Sequence, residues 1–168
     1  MGQQQLLLVI LVTIIVGIAT VVAINTFGSA ADQANIDAVN NDIAALASAA
    51  QGYYMRPGML GGGGRTFDGS GTPESDGISF DGLAFPATEI GLANNRTAVN
   101  ENGRYIITDV TDQSFTIEAY PSSGEGFTPG LDGANGDGQI VASVAPNNFI
   151  LGQRGTAAEQ DGGDGGAE

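Results

Sequence analysis

The sequence predicts an α+β fold, with one long N-terminal helix packed on a small antiparallel β-sheet head. Three observations carry that expectation. Residues 6–27, LLLVILVTIIVGIATVVAINTF, form a nearly unbroken apolar run that passes without a proline into a polar, helix-patterned segment. Two later stretches, RYIITDV (104–110) and SFTIEAY (114–120), are dense in β-branched and aromatic residues and are separated by the turn-forming TDQ. Two further short runs, QIVASV and NFIL, follow an Asp/Asn/Gly-rich loop.

The first element, residues 1–28, is long enough to cross a bilayer, which takes about 20 apolar residues. A secretory signal is the competing reading, since Gly28, Ser29, Ala30 and Ala31 are small. Such signals carry a basic start and an apolar core of about 7 to 15 residues. Here residues 1–5 hold no Lys or Arg and the run is longer. The positive-inside rule has nothing to read, because the first charge is Asp32 and the first Arg is Arg56.

Residues 29–56 continue the helix. Ile36, Val39, Ile43, Leu46, Ala50 and Tyr53 recur at intervals of 3, 4, 3, 4 and 3, a narrow apolar stripe suited to packing on the head. Asp32, Gln33, Asp37, Asn40, Asn41 and Asp42 are expected on the opposite, solvated face. Ala44, Ala45, Ala47 and Ala49 favour helix and let another backbone approach, and Pro57 with Gly58 ends the element.

Residues 57–103 read as a Gly-rich loop region. The tetraglycine 61–64 and the run DGSGTPESDG suggest a flexible linker, and no strand or GK[ST] element flanks them to make a phosphate cradle. SFDGLAF within it is expected to hold a short strand or a turn. Residues 104–154 form the sheet, with Phe115, Ile117 and Ala119 facing the core and Thr116, Glu118 and Tyr120 facing water. The acidic tail, 155–168, has no apolar anchor and is expected to be mobile.

Composition narrows the function. The 168 residues include 19 acidic residues, five Arg and no Lys, for a net charge of −14. Such a polyanion repels nucleic acid, so no nucleic-acid partner is expected. Acidic surfaces of this kind suit high salt, where charge is screened within about 3 Å at 1 M; a halophilic source is expected, the plainer alternative being an acidic exported protein. Without Cys or His there is no thiol nucleophile, imidazole base, or thiolate or imidazole metal site. The remaining carboxylates are scattered, and the chain is not expected to be an enzyme. Phe27, Tyr53 and Tyr54 could line an electron path, but helix-to-sheet packing explains them more simply.

The apolar-then-amphipathic helix, together with the strand pair Tyr105-Ile106-Ile107-Thr108 and Ser114 to Pro121, resembles the type IV pilins and pilin-like filament subunits of bacteria. The resemblance covers about half of the chain. It implies a structural subunit, the major pilin of an extracellular filament. Its partners would be copies of itself in a helical homopolymer and the pilus assembly machinery of the inner membrane, where the helix resides before assembly. On that reading Gln5, Leu6, Val9, Gly17, Ala19, Ala23 and Phe27 belong to the filament-core helix, whose small residues allow close contact.

The sequence departs from the family in two ways. The basic leader is missing, so either cleavage falls after Gly2 and Gln3 is the mature start, or Met1 is. The usual Glu at the fifth mature position is then Leu7 or Gln5. Two alternatives accompany the major-pilin expectation: a minor pilin or pseudopilin of a secretion or DNA-uptake system, and a monomeric membrane-anchored binding domain.

Two head motifs remain. Asp132, Asn135 and Asp137 fall in an acidic loop with calcium-loop-like spacing, although the register is one residue off and no Glu closes it. The competing reading is an Asp/Asn/Gly turn between strands. No other cofactor is expected. Asn95-Arg96-Thr97 matches an N-glycosylation sequon, with Asn95 as the acceptor.

Overall fold

A computed structural model describes residues 2–70 and 77–152. The chain divides into two units, residues 1–34 and 35–168. One helix, α1 (Gly2–Met55), supplies all the described structure of the first and the opening element of the second. It continues through Gly17 and Gly28 without interruption. The acidic tail 155–168 and most of DGSGTPESDG lie outside the described residues.

α1 is terminated by its own sequel. Pro57, at φ −59° and ψ 144°, leaves the helical region, and a 3-10 turn (Gly58–Leu60) follows. The tetraglycine segment then folds back to satisfy the last carbonyls. Gly63 N donates to Tyr53 O at 2.9 Å, Gly64 N to Arg56 O at 3.0 Å and Arg65 N to Tyr54 O at 3.0 Å. A Cβ on Gly63 would strike the Thr66 carbonyl and the Tyr53 ring, and one on Gly62 would strike the Arg56 backbone. This corrects the linker reading of 61–64: these glycines admit close backbone contact in a built cap.

Six strands form one antiparallel sheet in sequence order: β1 (Glu89–Gly91), β2 (Thr97–Val99), β3 (Gly103–Thr108), β4 (Phe115–Pro121), β5 (Ile140–Ala145) and β6 (Asn148–Leu151). The expected central hairpin is present, with Gly103 opposite Pro121 and Thr108 opposite Thr116. Val144 pairs with Phe115 and with Phe149, placing QIVASV and NFIL as the last two strands. The region 57–103 is not all loop, since it contains β1 and β2. Three-residue strands are too short to show a period of two. SFDGLAF is a turn, in which Leu83 N bonds Ser79 O and Ala84 N bonds Asp81 O, both at 3.1 Å.

The core of the second unit lies between residues 36–54 of α1 and one face of the sheet. Val39, Ile43, Leu46, Ala50 and Tyr53 are buried, and Ile36 packs at their margin. From the sheet come Ala98, Tyr105, Ile107, Phe115, Ile117, Ala119, Ile140, Ala142 and Val144. Loop aromatics fill the ends: Phe67 meets Tyr54 and Phe115 at ring distances of 5.0 and 5.1 Å, while Phe85 meets Tyr105 at 5.1 Å. Tyr120, expected in water, is buried on the other face, where the connection between β4 and β5 supplies cover.

Candidate functional site

In the first unit, residues 6–27 carry their apolar side chains outward all round the helix. Leu6 to Ile24 are about half exposed or more, and Phe27 is 75% exposed. The segment is long and apolar enough to cross a membrane. Its hydroxyls turn inward on the helix itself. Thr13 Oγ1 donates to Ile10 O and Thr20 Oγ1 to Val16 O, both at 2.8 Å, and Thr26 Oγ1 donates to Val22 O at 2.9 Å. These bonds remove the polar demand that would oppose transfer out of water. Leu6, Val9 and Phe27 are thus exposed members of an uncharged rod, and Gln5, Gly17, Ala19 and Ala23 are exposed along it.

In the second unit, a polar seam flanks the apolar stripe of α1. Asn35 Nδ2 donates to Asn102 O and Ser122 Oγ, each at 3.0 Å, while Ser123 N donates to Asn35 Oδ1 at 3.2 Å. One turn-pair later, Asp42 Oδ2 accepts from Asn100 Nδ2 at 2.9 Å, Asn102 Nδ2 at 2.8 Å and the Tyr105 hydroxyl at 2.7 Å. Burial, followed by the bond to Asp42, pushes the Tyr105 hydroxyl well above its ordinary range. Asp42 is therefore a docking hub and not part of a solvated face. Its position explains this, since residues 35 and 42 lie seven apart and border the stripe of 39, 43 and 46. A shallow depression of about 420 Å³ lies beside it, lined by Asp42, Pro86, Thr88, Asn100, Glu101 and Asn102.

The loop proposed from sequence to hold calcium is organised around a side chain. Arg104, 1% exposed, donates Nε to Gly130 O at 3.1 Å, Nη1 to Asn135 Oδ1 at 2.7 Å and Nη2 to Thr128 O at 3.0 Å. It also bonds Gly133 O, and its Nη2 meets Gly130 O as well. Phe127 stacks 5.7 Å from the guanidinium. Burial lowers the Arg104 pKa, and nearby Asp132 acts in the opposite sense. Asn135 thus serves a guanidinium, while Asp132 and Asp137 are exposed. Among the described residues no group of three or more Asp or Glu side chains is placed to hold a metal. Beside the loop, Tyr120 OH donates to Glu118 Oε2 at 3.0 Å and accepts from Gln139 Nε2 at 2.8 Å. Burial and Glu118 push its pKa up to about 12.

Asn95 is exposed, at φ 55° in the left-handed region, and Thr97 of the same sequon is buried in β2. The sequon is therefore not extended and accessible throughout in the folded head. Comparison of the chain with protein-family models, with curated proteins and with solved structures gives no match.

Proposed function

We propose that this chain is a structural subunit of an extracellular filament, assembled by packing of N-terminal helices in the manner of a type IV pilin. The observation that carries the reading is the division of labour along α1. Residues 6–27 present an apolar surface that their own unit leaves uncovered, while residues 39–54 of the same helix are consumed in the core of a folded head. Burial of such a surface is worth about 25 cal/mol per Å² relative to water. Relative to lipid it is worth far less, so the membrane is the holding state and side-by-side helix packing the assembled one. Gly17, Ala19 and Ala23 allow the close approach this needs.

The length and apolarity of the same segment also favour a second reading, a monomeric domain anchored in the membrane. Electron microscopy of the sheared extracellular fraction, with mass spectrometry of the N-terminus, separates the two. Thin fibres made of this chain are expected, and the terminal residue distinguishes Met1 from Gln3 as the start. Protein confined to the membrane fraction, monomeric in mild detergent and absent from fibres, would overturn the filament reading. Fibres that contain the chain only in trace amounts would reassign it as a minor pilin or pseudopilin.

A further inference from the structure

The head has two unlike ends. Asn35 marks one, through its bonds to Asn102 and Ser122, and Tyr54 marks the other, where its hydroxyl donates to Gln113 Oε1 at 3.2 Å. The rise of the intervening helix separates them by about 28 Å. At the Tyr54 end, Met55, Met59 and Leu60 are 69%, 99% and 71% exposed. Arg56 and Arg65 are exposed beside them, and neither side chain has a partner among the described residues. An open groove of about 530 Å³ adjoins, lined by Tyr54, Met55, Arg65, Gln113, Pro146 and Asn148. Asp68, Asp109 and Asp112 are exposed on neighbouring turns, so this end carries charges of both signs. The Asn35 end differs: Glu101, Glu125, Asp132 and Asp137 are exposed there, and its cation, Arg104, is buried.

We infer that the apolar, arginine-bearing end of one subunit receives the acidic end of a second copy, around the loop between β4 and β5. This contact rests on the filament reading. Charge selects the polarity. In a chain of net charge −14, pairing two acidic ends concentrates repulsion, whereas the unlike pairing sets Arg56 and Arg65 against Glu125, Asp132 and Asp137. The contact also covers the exposed Met55, Met59 and Leu60, which an isolated head leaves in water. Because it joins two different surfaces it is heterologous, the kind of contact that propagates as an open helix when its rotation does not close a ring.

The absence of cysteine provides a clean test. Filaments of the full chain carrying both Met59→Cys and Asp132→Cys should yield, on mild oxidation, a ladder of covalent multimers that reductant collapses. Neither single variant should give it. Arg65→Glu should reduce the ladder in that background, and adding Glu125→Arg should restore it. Intact filaments of the double variant with only monomer bands would overturn the contact and leave the filament reading standing. Dimers from Met59→Cys alone would show that like ends meet, which also overturns it. If the unsubstituted chain forms no filaments under any condition, the inference and the filament reading fall together.

Discussion

Replacing Asp42 with Ala tests whether the helix is fastened to the sheet by a polar hub as well as by the core. The carboxylate oxygen accepts three hydrogen bonds, two from Asn100 and Asn102 and one from Tyr105. Bonds to a charged group contribute about 1.5–3 kcal/mol each when their partner is lost, but groups that can reach water recover most of it. Asn100 and Asn102 lie half-buried on a turn and can re-solvate. The Tyr105 side chain is fully buried and cannot. The expected cost is therefore about one charged hydrogen bond plus part of an unsatisfied hydroxyl, roughly 3 kcal/mol. For a domain of this size that lowers Tm by about 10 °C. The assay is thermal unfolding of the full chain in detergent, followed by tyrosine near-ultraviolet dichroism. Glu101→Ala is the control, since it removes an exposed charge from the rim of the same depression. A loss below about 0.5 kcal/mol, the range of ordinary surface substitutions, would refute the hub, as would an equal loss from the control.

Three other outcomes are expected. Tyr105 and Tyr120 keep their protons to higher pH in the folded head than in the unfolded chain, where tyrosine titrates near 10. Stability should thus be full below pH 10 and fall as pH rises toward about 12, with Tyr105 and Tyr120 ionising only together with unfolding; ionisation of these two near pH 10 in folded protein, assigned with Tyr→Phe variants, would contradict this. Gly63→Ala should destabilise the cap by about 1–3 kcal/mol, whereas Gly52→Ala, where a Cβ meets nothing within 4 Å, should stabilise by about 0.5–1 kcal/mol in chemical denaturation. Arg104→Met should leave the carbonyls of Thr128 and Gly133 without their donor and speed amide exchange across residues 122–139, while calcium or EDTA leaves the unsubstituted protein's Tm unchanged; a calcium-dependent rise in Tm would show that the loop serves a metal after all.

The elements that were legible in the sequence are those with long periods. The stripe from Ile36 to Tyr53 repeats often enough to fix which face of α1 is buried, and the alternation of Phe115, Ile117 and Ala119 fixes one face of β4. β1 and β2 were not legible, because strands of three residues are too short to carry a pattern. The tetraglycine misled for a different reason. Composition reports conformational freedom, but at Gly62 and Gly63 the missing Cβ serves close contact with the end of the helix. Arg104 was the least predictable of all. It is the second residue of β3, on the face that alternation assigns to solvent, and its burial depends on a loop that starts after β4 and returns to wrap the guanidinium. The acceptors there are mostly backbone carbonyls, which leave no trace in residue identity. The signals at Asn95 and at Asp132, Asn135 and Asp137 were short-range spacings, and the geometry around both is set by long-range contacts.

Salt should act on the proposed filament in the direction opposite to an assembly held by ion pairs. Each chain brings a net charge of −14. Two such charges at a head separation of roughly 40 Å repel by about 20 kcal/mol without screening. With Debye lengths of about 30 Å at 0.01 M and 10 Å at 0.1 M, about 5 kcal/mol of that survives in the first case and under 1 kcal/mol in the second. Attractive contacts made by exposed Arg56 and Arg65 contribute about 0–1 kcal/mol each. Repulsion therefore dominates at low salt, and the arginines serve to orient neighbours more than to hold them. Dialysis of filaments into about 0.01 M salt should loosen or dissociate them, and return to 0.1 M should restore them. The measurement is the sedimentable fraction against sodium chloride, with sucrose as a control for osmotic effects. Filaments that are most stable at the lowest salt would mean that cation–carboxylate contacts outweigh the net charge, and the weights assigned to Arg56 and Arg65 would have to be reversed.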